Sequence, residues 1–404
     1  MLKINNENRF YYLVIIFAFI LPLSRAAISF FVILLPILWV IEGNFKEKYH
    51  QIIRSKLLVA ILLYLAFNLI SILWSTNLYE SLKVIRYSAY WFTLFVIATK
   101  IKKEQVSSII SAFLMGMFVS EIIAYGVFFE LWHFKEATVE NPSPFMFWID
   151  YSVYMAFTSI LLLNRILSKN YSLKQKIIFS FFFLTVTGNL FLAIGRTGQV
   201  AFIVAMFVLM IVHFRFTLKS LFLSIGMLSI IFFSAYNLSD SFKVRSEAAV
   251  HDINNISNMN LNGSWGIRVA YWIVSYHIVK DEPLLGVGGG DYGDEIRKEL
   301  AQNNYNYLTN ETKAFMGSYH PHNQYLMVVL QMGLVGLILL LYVIYQIIIL
   351  KIEDREIKEL SLLFTTIFFV SCFAEPLFYK QFTLVLFLFF IGLFAVADES
   401  HSKF

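Results

Sequence analysis

The sequence predicts an all-α, polytopic integral membrane protein with about twelve transmembrane helices and one large polar loop before the last three. Three observations predict it. Hydrophobic residues make up 58% of the 404 and charged residues only 15%, too few to cover the surface of a soluble fold of this size. The apolar residues gather in long unbroken runs rather than alternating, which indicates helices and not the strands of a barrel. Lysine and arginine are distributed unevenly between successive loops, as the positive-inside rule requires.

The apolar stretches, in order, are 10–22 and 27–41, joined by a tight turn at Arg25; 57–74 and 84–99; 106–131; 151–163, extended by its flanks; 177–194 and 200–213, separated only by Gly195-Arg196-Thr197-Gly198; and 221–236. After a polar stretch, 325–350, 360–374 and 382–396 complete the set. With the N-terminus inside, the inner loops hold Lys46, Lys48, Arg54 and Lys56, then Lys100, Lys102 and Lys103, then Arg165, Lys169, Lys174 and Lys176. Arg215 and Lys219, then Lys351, Arg355 and Lys358, continue the same side. The outer loops hold only Arg25, Lys83, Lys135, Arg196 and Lys380, an asymmetry of about three to one. Both termini are then cytoplasmic and the first apolar segment is retained, since no small-residue cleavage site follows it. The net charge of +5 reflects these loops and not nucleic-acid binding.

The polar stretch, 237–319, faces outward. Its first part, 237–263, is rich in Asn and Ser and is expected to be irregular. Over 264–280, Ile267, Tyr271, Val274 and Ile278 recur at helical spacing beside Trp265, Trp272 and Tyr276, which predicts an amphipathic helix at the membrane surface. Asp281-Glu282-Pro283 ends it, and a glycine-rich run, Gly286 to Gly290, follows. That run lacks the Lys-Ser/Thr of a phosphate loop. The single cysteine, Cys372, excludes an internal disulfide and argues against a zinc–thiolate site. No Asp-x-Asp occurs, which disfavours metal-dependent nucleotide-sugar chemistry.

Three residues carry candidate chemistry. His322 stands at the mouth of the tenth apolar run, where a neutral imidazole can act as a general base, though a capping or interfacial histidine is the commoner reading of such a residue alone. His320 competes for the role, and Pro321 between them implies that only one need face a pocket. Arg196, in its glycine-flanked hairpin, either grips an anion or snorkels to the surface. Arg268, among Trp265, Tyr271 and Trp272, can grip a phosphate or contact lipid headgroups. Together they suit an anionic, lipid-linked substrate.

With these residues in view, the chain resembles the O-antigen ligases of the O-antigen ligase and polymerase superfamily. The family pattern is His, then Asn, Ser or Gln, nine residues, Gly, two residues, then Gly, Thr or Tyr; His322, Asn323, Gly333 and Gly336 match it. Arg196 is similar to the family's first arginine. Arg268, followed by Trp272 and Pro283-Leu284-Leu285-Gly286-Val287-Gly288, is similar to its loop arginine. The resemblance implies an inverting, metal-independent glycosyl transfer without a cofactor at the periplasmic face of the bacterial inner membrane. The donor is a glycan on undecaprenyl diphosphate, and the acceptor a sugar hydroxyl of lipid A–core. It makes His322 the catalytic base, Arg196 and Arg268 the diphosphate ligands, and Asn323, His320 and Trp272 supporting residues. Residues 1–236 then carry nine helices, 237–321 the periplasmic loop, and 322–404 the last three helices and a cytoplasmic tail. Polysaccharide polymerases share the donor, and a protein O-oligosaccharyltransferase is a third reading. Phe207 and Val279 stand where an arginine-x10-glycine pattern of some polymerases would place glycine, which favours a ligase. A transporter is disfavoured, because the spans are nearly charge-free and the chemistry gathers at one face.

Overall fold

The computed structural model describes residues 8–214, 217–238 and 240–399. Among them there are helices and no strand. The first nine helices are α1 (Arg9–Ile20), α2 (Arg25–Ile41), α3 (Phe45–Arg54), α4 (Lys56–Ile70), α5 (Leu78–Tyr90), α6 (Phe92–Lys100), α7 (Val106–Phe128), α8 (Trp148–Leu167) and α9 (Leu173–Leu192). They are followed by α10 (Arg196–Phe214), α11 (Leu218–Leu238), α12 (Asp240–Ser257), α13 (Gly266–Asp281), α14 (Tyr292–Gln302), α15 (Asn310–Ser318), α16 (Gln324–Ile348), α17 (Arg355–Ser371) and α18 (Gln381–Ala397). Each of the twelve apolar stretches is helical, the fourth as the pair α5 and α6. Five helical segments are long and apolar enough to cross a membrane: Lys56–Trp74, Lys103–Phe128, α9, α10 and α16. A sixth appears if α2 and α3, bent by 117°, count as one; α1 and α18 are shorter but apolar. The chain is a multi-pass membrane protein.

The centre of the bundle is α18. Leu384 to Leu393 are all but inaccessible, as expected of a helix apolar on every side. Phe387 packs edge-on to Phe378 at 5.0 Å and against Phe368 at 4.7 Å, so aromatic rings fill the space between α17 and α18. A second, smaller apolar cluster includes Leu261, Ala270, Tyr271, Val274, Ile296, Tyr305 and Met316. It forms where α13, α14 and α15 pack together over the outer half of α16.

Loops expected on the same side meet at the same end. Lys48 and Lys100 both reach Glu42, Lys103 reaches Glu399, and Arg165 lies 3.7 Å from Glu356. Arg25, Asp150, Glu375 and Lys380 gather at the opposite end, where α18 begins. Arg215 lies outside the described residues, as does the side chain of Lys219.

The structure differs from the sequence reading in the loop and in α16. Residues 237–263 are not irregular: α12 fills Asp240–Ser257. Ala248, Ala249 and Glu247 favour helix, no Pro or Gly interrupts before Gly263, and the Asn residues cluster towards its end. The amphipathic helix exists as α13, and Tyr271, Val274 and Ile278 are buried on it, but this face packs on α14, α15 and α16 rather than lying free. The polar stretch after Asp291 contains α14 and α15.

The apolar run of α16 is broken at Gly333, where φ is +60° and ψ −160°. The glycine-rich loop is bonded into this break. Val287 and Gly288 donate backbone N–H groups to the Leu330 and Gln331 carbonyls at 2.8 and 3.1 Å. Leu334 and Val335 donate in turn to Pro283 and Leu284 at 2.9 and 3.2 Å. A Cβ at Gly333 would collide with the Leu284 carbonyl, and one at Gly286 would meet Leu330 O at 2.5 Å. The far side of the loop is clamped by Asp291, whose carboxylate accepts from Thr76 N at 2.7 Å, Asn77 N at 2.9 Å and the hydroxyls of Ser75 and Thr76. Gly333→Ala should therefore cost about 3 kcal/mol or more, since only glycine readily adopts this backbone conformation. The check is the thermal midpoint in detergent together with protease cutting near 283–290; an unchanged midpoint and no new cutting would mean that the joint does not hold the loop.

Candidate active site

His322 sits between two elements that are distant in sequence. The linker after α15 runs Tyr319-His320-Pro321-His322, and His322 takes a left-handed conformation, φ +48°. A non-glycine residue held there costs of order 1–3 kcal/mol unless its surroundings fix it. Asn323 caps α16, its Oδ1 accepting from Leu326 N at 2.9 Å, and its Nδ2 donates to Phe373 O at 3.3 Å. Gln324 N donates to Cys372 O at 2.8 Å, and Gln324 Oε1 accepts from Phe378 N at 2.9 Å. These bonds stitch the start of α16 to the turn 372–378. That turn carries Glu375, which sequence reasoning missed.

Glu375 is 1% exposed and lies 3.0 Å from His322 Nδ1 through Oε1. Its Oε2 lies 3.6 Å from His320 Nε2 and 3.5 Å from Lys380 Nζ. Lys380 Nζ is also 3.4 Å from Asp150 Oδ1, at the start of α8. Burial works to raise the Glu375 carboxyl, but the His322 hydrogen bond and the positive charges around it outweigh burial and hold it at about 2. The carboxylate is therefore ionised and can only accept. Nδ1 of His322 is therefore the donor in their hydrogen bond. Burial pushes the His320 imidazole down to about 4, so it is neutral at pH 7. The two rings are 4.6 Å apart, and Phe315 lies parallel to His322 at 6.0 Å.

Both histidines line one cavity of about 1170 Å³, although Pro321 between them required only one to do so. The left-handed turn at His322 brings its ring back beside His320. Arg25, Lys135, Asp150, Glu375 and Lys380 share the lining with them. Ligand atoms of His320, His322 and Glu375 all lie within 4.8 Å of one another. Two imidazoles and a carboxylate are chemically fit to hold a divalent metal. The Lys380 ammonium on the same carboxylate opposes one, because it would stand beside the cation it would have to share Glu375 with.

The two arginines lie on α10 and α13. Arg268 lies on α13, its Nη1 donating to Ser264 O at 2.7 Å and its guanidinium 5.7 Å from the Trp265 ring. Tyr271, nearly one turn on, packs edge-on to His322 at 6.3 Å and donates to the Met316 and Tyr319 carbonyls. Arg196 opens α10, half-buried, with its Nε buried and no hydrogen-bond partner. Gly198 beside it packs directly on Ser152 of α8, accepting no side chain there, and its N–H donates to Ser152 Oγ at 3.0 Å. The first turn of α8, with Trp148 and Asp150, is a wall of the cavity. Trp272 is 56% exposed and stands away from the histidines' described contacts. Asn323 is a helix cap whose polar atoms are both engaged.

No curated protein matches the chain. Residues 181–341 match the family model described as O-antigen ligase, a span that holds Arg196, Arg268, the 283–290 loop, His322 and the Gly333 break but not Glu375 or Lys380.

Proposed function

We propose that this protein is an O-antigen ligase of the bacterial inner membrane. It transfers a glycan from undecaprenyl diphosphate to a sugar hydroxyl of lipid A–core at the periplasmic face, with inversion and without a metal. The observation that carries the reading is the His322–Glu375 pair on the wall of the cavity. A carboxylate that fixes Nδ1–H leaves Nε2 as the base. Nε2 takes the proton of the acceptor hydroxyl while its oxygen bonds to the donor's anomeric carbon. The bond from that carbon to the diphosphate oxygen breaks, and undecaprenyl diphosphate leaves with the electron pair. One in-line displacement inverts the anomeric centre. Glu375 stabilises the imidazolium that forms. Arg196 and Arg268 neutralise the leaving diphosphate; Arg268 shares α13 with Tyr271, which packs on His322, and Arg196 opens α10, which packs on the start of α8 that walls the cavity.

In this reading twelve helical spans put the His322 end of the bundle in the periplasm and the Lys103 end in the cytoplasm. Cys372 is buried, so cysteines introduced singly report alone. Impermeant thiol reagents should label Asn258→Cys and the exposed Asn304→Cys from outside, and Lys174→Cys and Arg355→Cys only after the membrane is opened. Cytoplasmic labelling of Asn304→Cys would remove the mechanism.

The activity is tested by deletion and by kinetics on the purified enzyme. Loss of long chains from lipid A–core while lipid-linked polymer is still made supports the ligase; single repeats on the core would indicate a polymerase. His322→Ala should lower kcat by on the order of 10²–10⁴-fold with donor binding retained, and EDTA should leave the parent unaffected. Loss of activity in EDTA, restored by a divalent metal, would replace the base with a metal held by His320, His322 and Glu375. In the same assay Arg196→Lys and Arg268→Lys should weaken donor use, because lysine keeps the charge but not the bidentate fork.

Glu375 acts as a positioning residue. Glu375→Gln should lower kcat roughly 10–100-fold, the worth of a charged hydrogen bond, with donor KM little changed. Glu375→Asp, which keeps a carboxylate at the site, should restore part of the rate. An equal loss of rate in Glu375→Asp and Glu375→Gln, with a lowered thermal midpoint in both, would make Glu375 a structural residue only.

A further inference from the structure

At the end of the bundle opposite His322, we infer that α3 and the cavity beside it form a binding site for the phosphate headgroup of an anionic phospholipid. The inference does not rest on the proposed reaction.

The geometry begins with a forced turn. Gly43 and Asn44 both take left-handed conformations, φ +73° and +53°, and α3 leaves α2 at 117°. Lys48 then pins α3 to the bundle. It is 2% exposed, lies 3.0 Å from Glu42 and 4.6 Å over the Trp39 ring, and donates to the Trp39 carbonyl. With Lys48 and Ile52 turned inward, the rest of the helix divides by its own period. Phe45, Tyr49 and Ile53 recur every four residues and are 56%, 60% and 43% exposed. Lys46, His50 and Arg54 recur with the same spacing on the next face and are also exposed.

An exposed apolar stripe beside a cationic row, on a helix turned sharply from the one before it, fits the boundary between acyl chains and headgroups. Lys46 and Arg54 of that basic row, with His50 between them, also line a cavity of about 880 Å³, and Lys103, paired with Glu399, joins from the turn after α6. Its floor is apolar: Leu58 comes from α4, Val396 from α18 and Ile101 from the turn after α6. Glu47 and Asp398 share the lining, but Asp398 accepts from Lys351 N at 2.9 Å and Glu47 from Gln51 at 3.5 Å. Cations at the rim and hydrocarbon beneath match a phosphate ester with an acyl chain better than a free anion.

The test uses the purified full chain in detergent, delipidated and then given phosphatidylglycerol, phosphatidylcholine or inorganic phosphate, with bound lipid counted by native mass spectrometry. Phosphatidylglycerol should be retained in preference to phosphatidylcholine. Lys46→Gln with Arg54→Gln should weaken its binding roughly 30-fold, from the loss of two surface cations. Lys298→Gln, on α14 at the other end, should leave it unchanged. The substituted side chains are exposed, and circular dichroism confirms that the helix persists. Equal retention by the double variant would overturn the proposal. So would displacement of the lipid by millimolar inorganic phosphate, which would make this a site for free phosphate.

Discussion

A break in a membrane helix leaves backbone N–H and C=O groups without partners, and hydrocarbon cannot supply them. The break in α16 at Gly333 is tolerated because residues 283–288 occupy it, exchanging two donated and two accepted bonds. This exchange ties the polar loop to the bundle roughly 15 Å below His322 at 1.5 Å per residue. Everything above depends on it. With 283–288 fixed in α16 and Asp291 fixed to the turn between α4 and α5, the chain between them has one path. Helices α13 to α15 are then held over the start of α16, where Tyr271 and Phe315 pack on the His322 ring.

The second constraint is electrostatic. Glu375 is almost inaccessible and ionised, a state that burial alone would not permit. Its two oxygens are shared among His322, His320 and Lys380, and Lys380 is held in turn by Asp150 from α8. The network joins the turn after α17, the start of α18, the start of α8 and the start of α16. The same groups that make the charge tolerable therefore orient His322. In the proposed reaction this leaves little reorganisation for proton transfer.

The sequence made the bundle legible and much of the site illegible, for physical reasons. Long apolar runs are a composition signal, so all twelve segments are visible without knowledge of their packing. The buried face of α13 is visible because Tyr271, Val274 and Ile278 keep helical period. The break at Gly333 is hidden, since apolar residues continue on both sides and only one glycine marks it. Gly286 to Gly290 invited comparison with a phosphate loop, yet its glycines serve close backbone contact with α16 and α4. Asn323 carried a readable cap signal, Asn before an apolar run, which the chemistry assigned to its neighbour obscured. Glu375 had no local signal at all: a lone acid after an apolar segment, joined to His322 across 53 residues only by the fold.

Ionisable side chains are kept towards the ends of this bundle, and the two ends manage them differently. At the α3 end, Lys48, Glu42 and Lys100 form one group that reaches solvent through Glu42, and Arg165 and Glu356 form another that is largely buried. The solvent-reaching group contributes modestly. At the His322 end, Asp150 and Glu375 are both buried, and a single ammonium serves both. Removing that ammonium would strand Asp150 and leave Glu375 to the histidines alone, so the network is coupled across both carboxylates. An arrangement of that kind is a poor way to gain stability, since apolar side chains of the same volume would do as well. Its retention beside a cavity, around a histidine in a strained backbone conformation, is what a preorganised base requires.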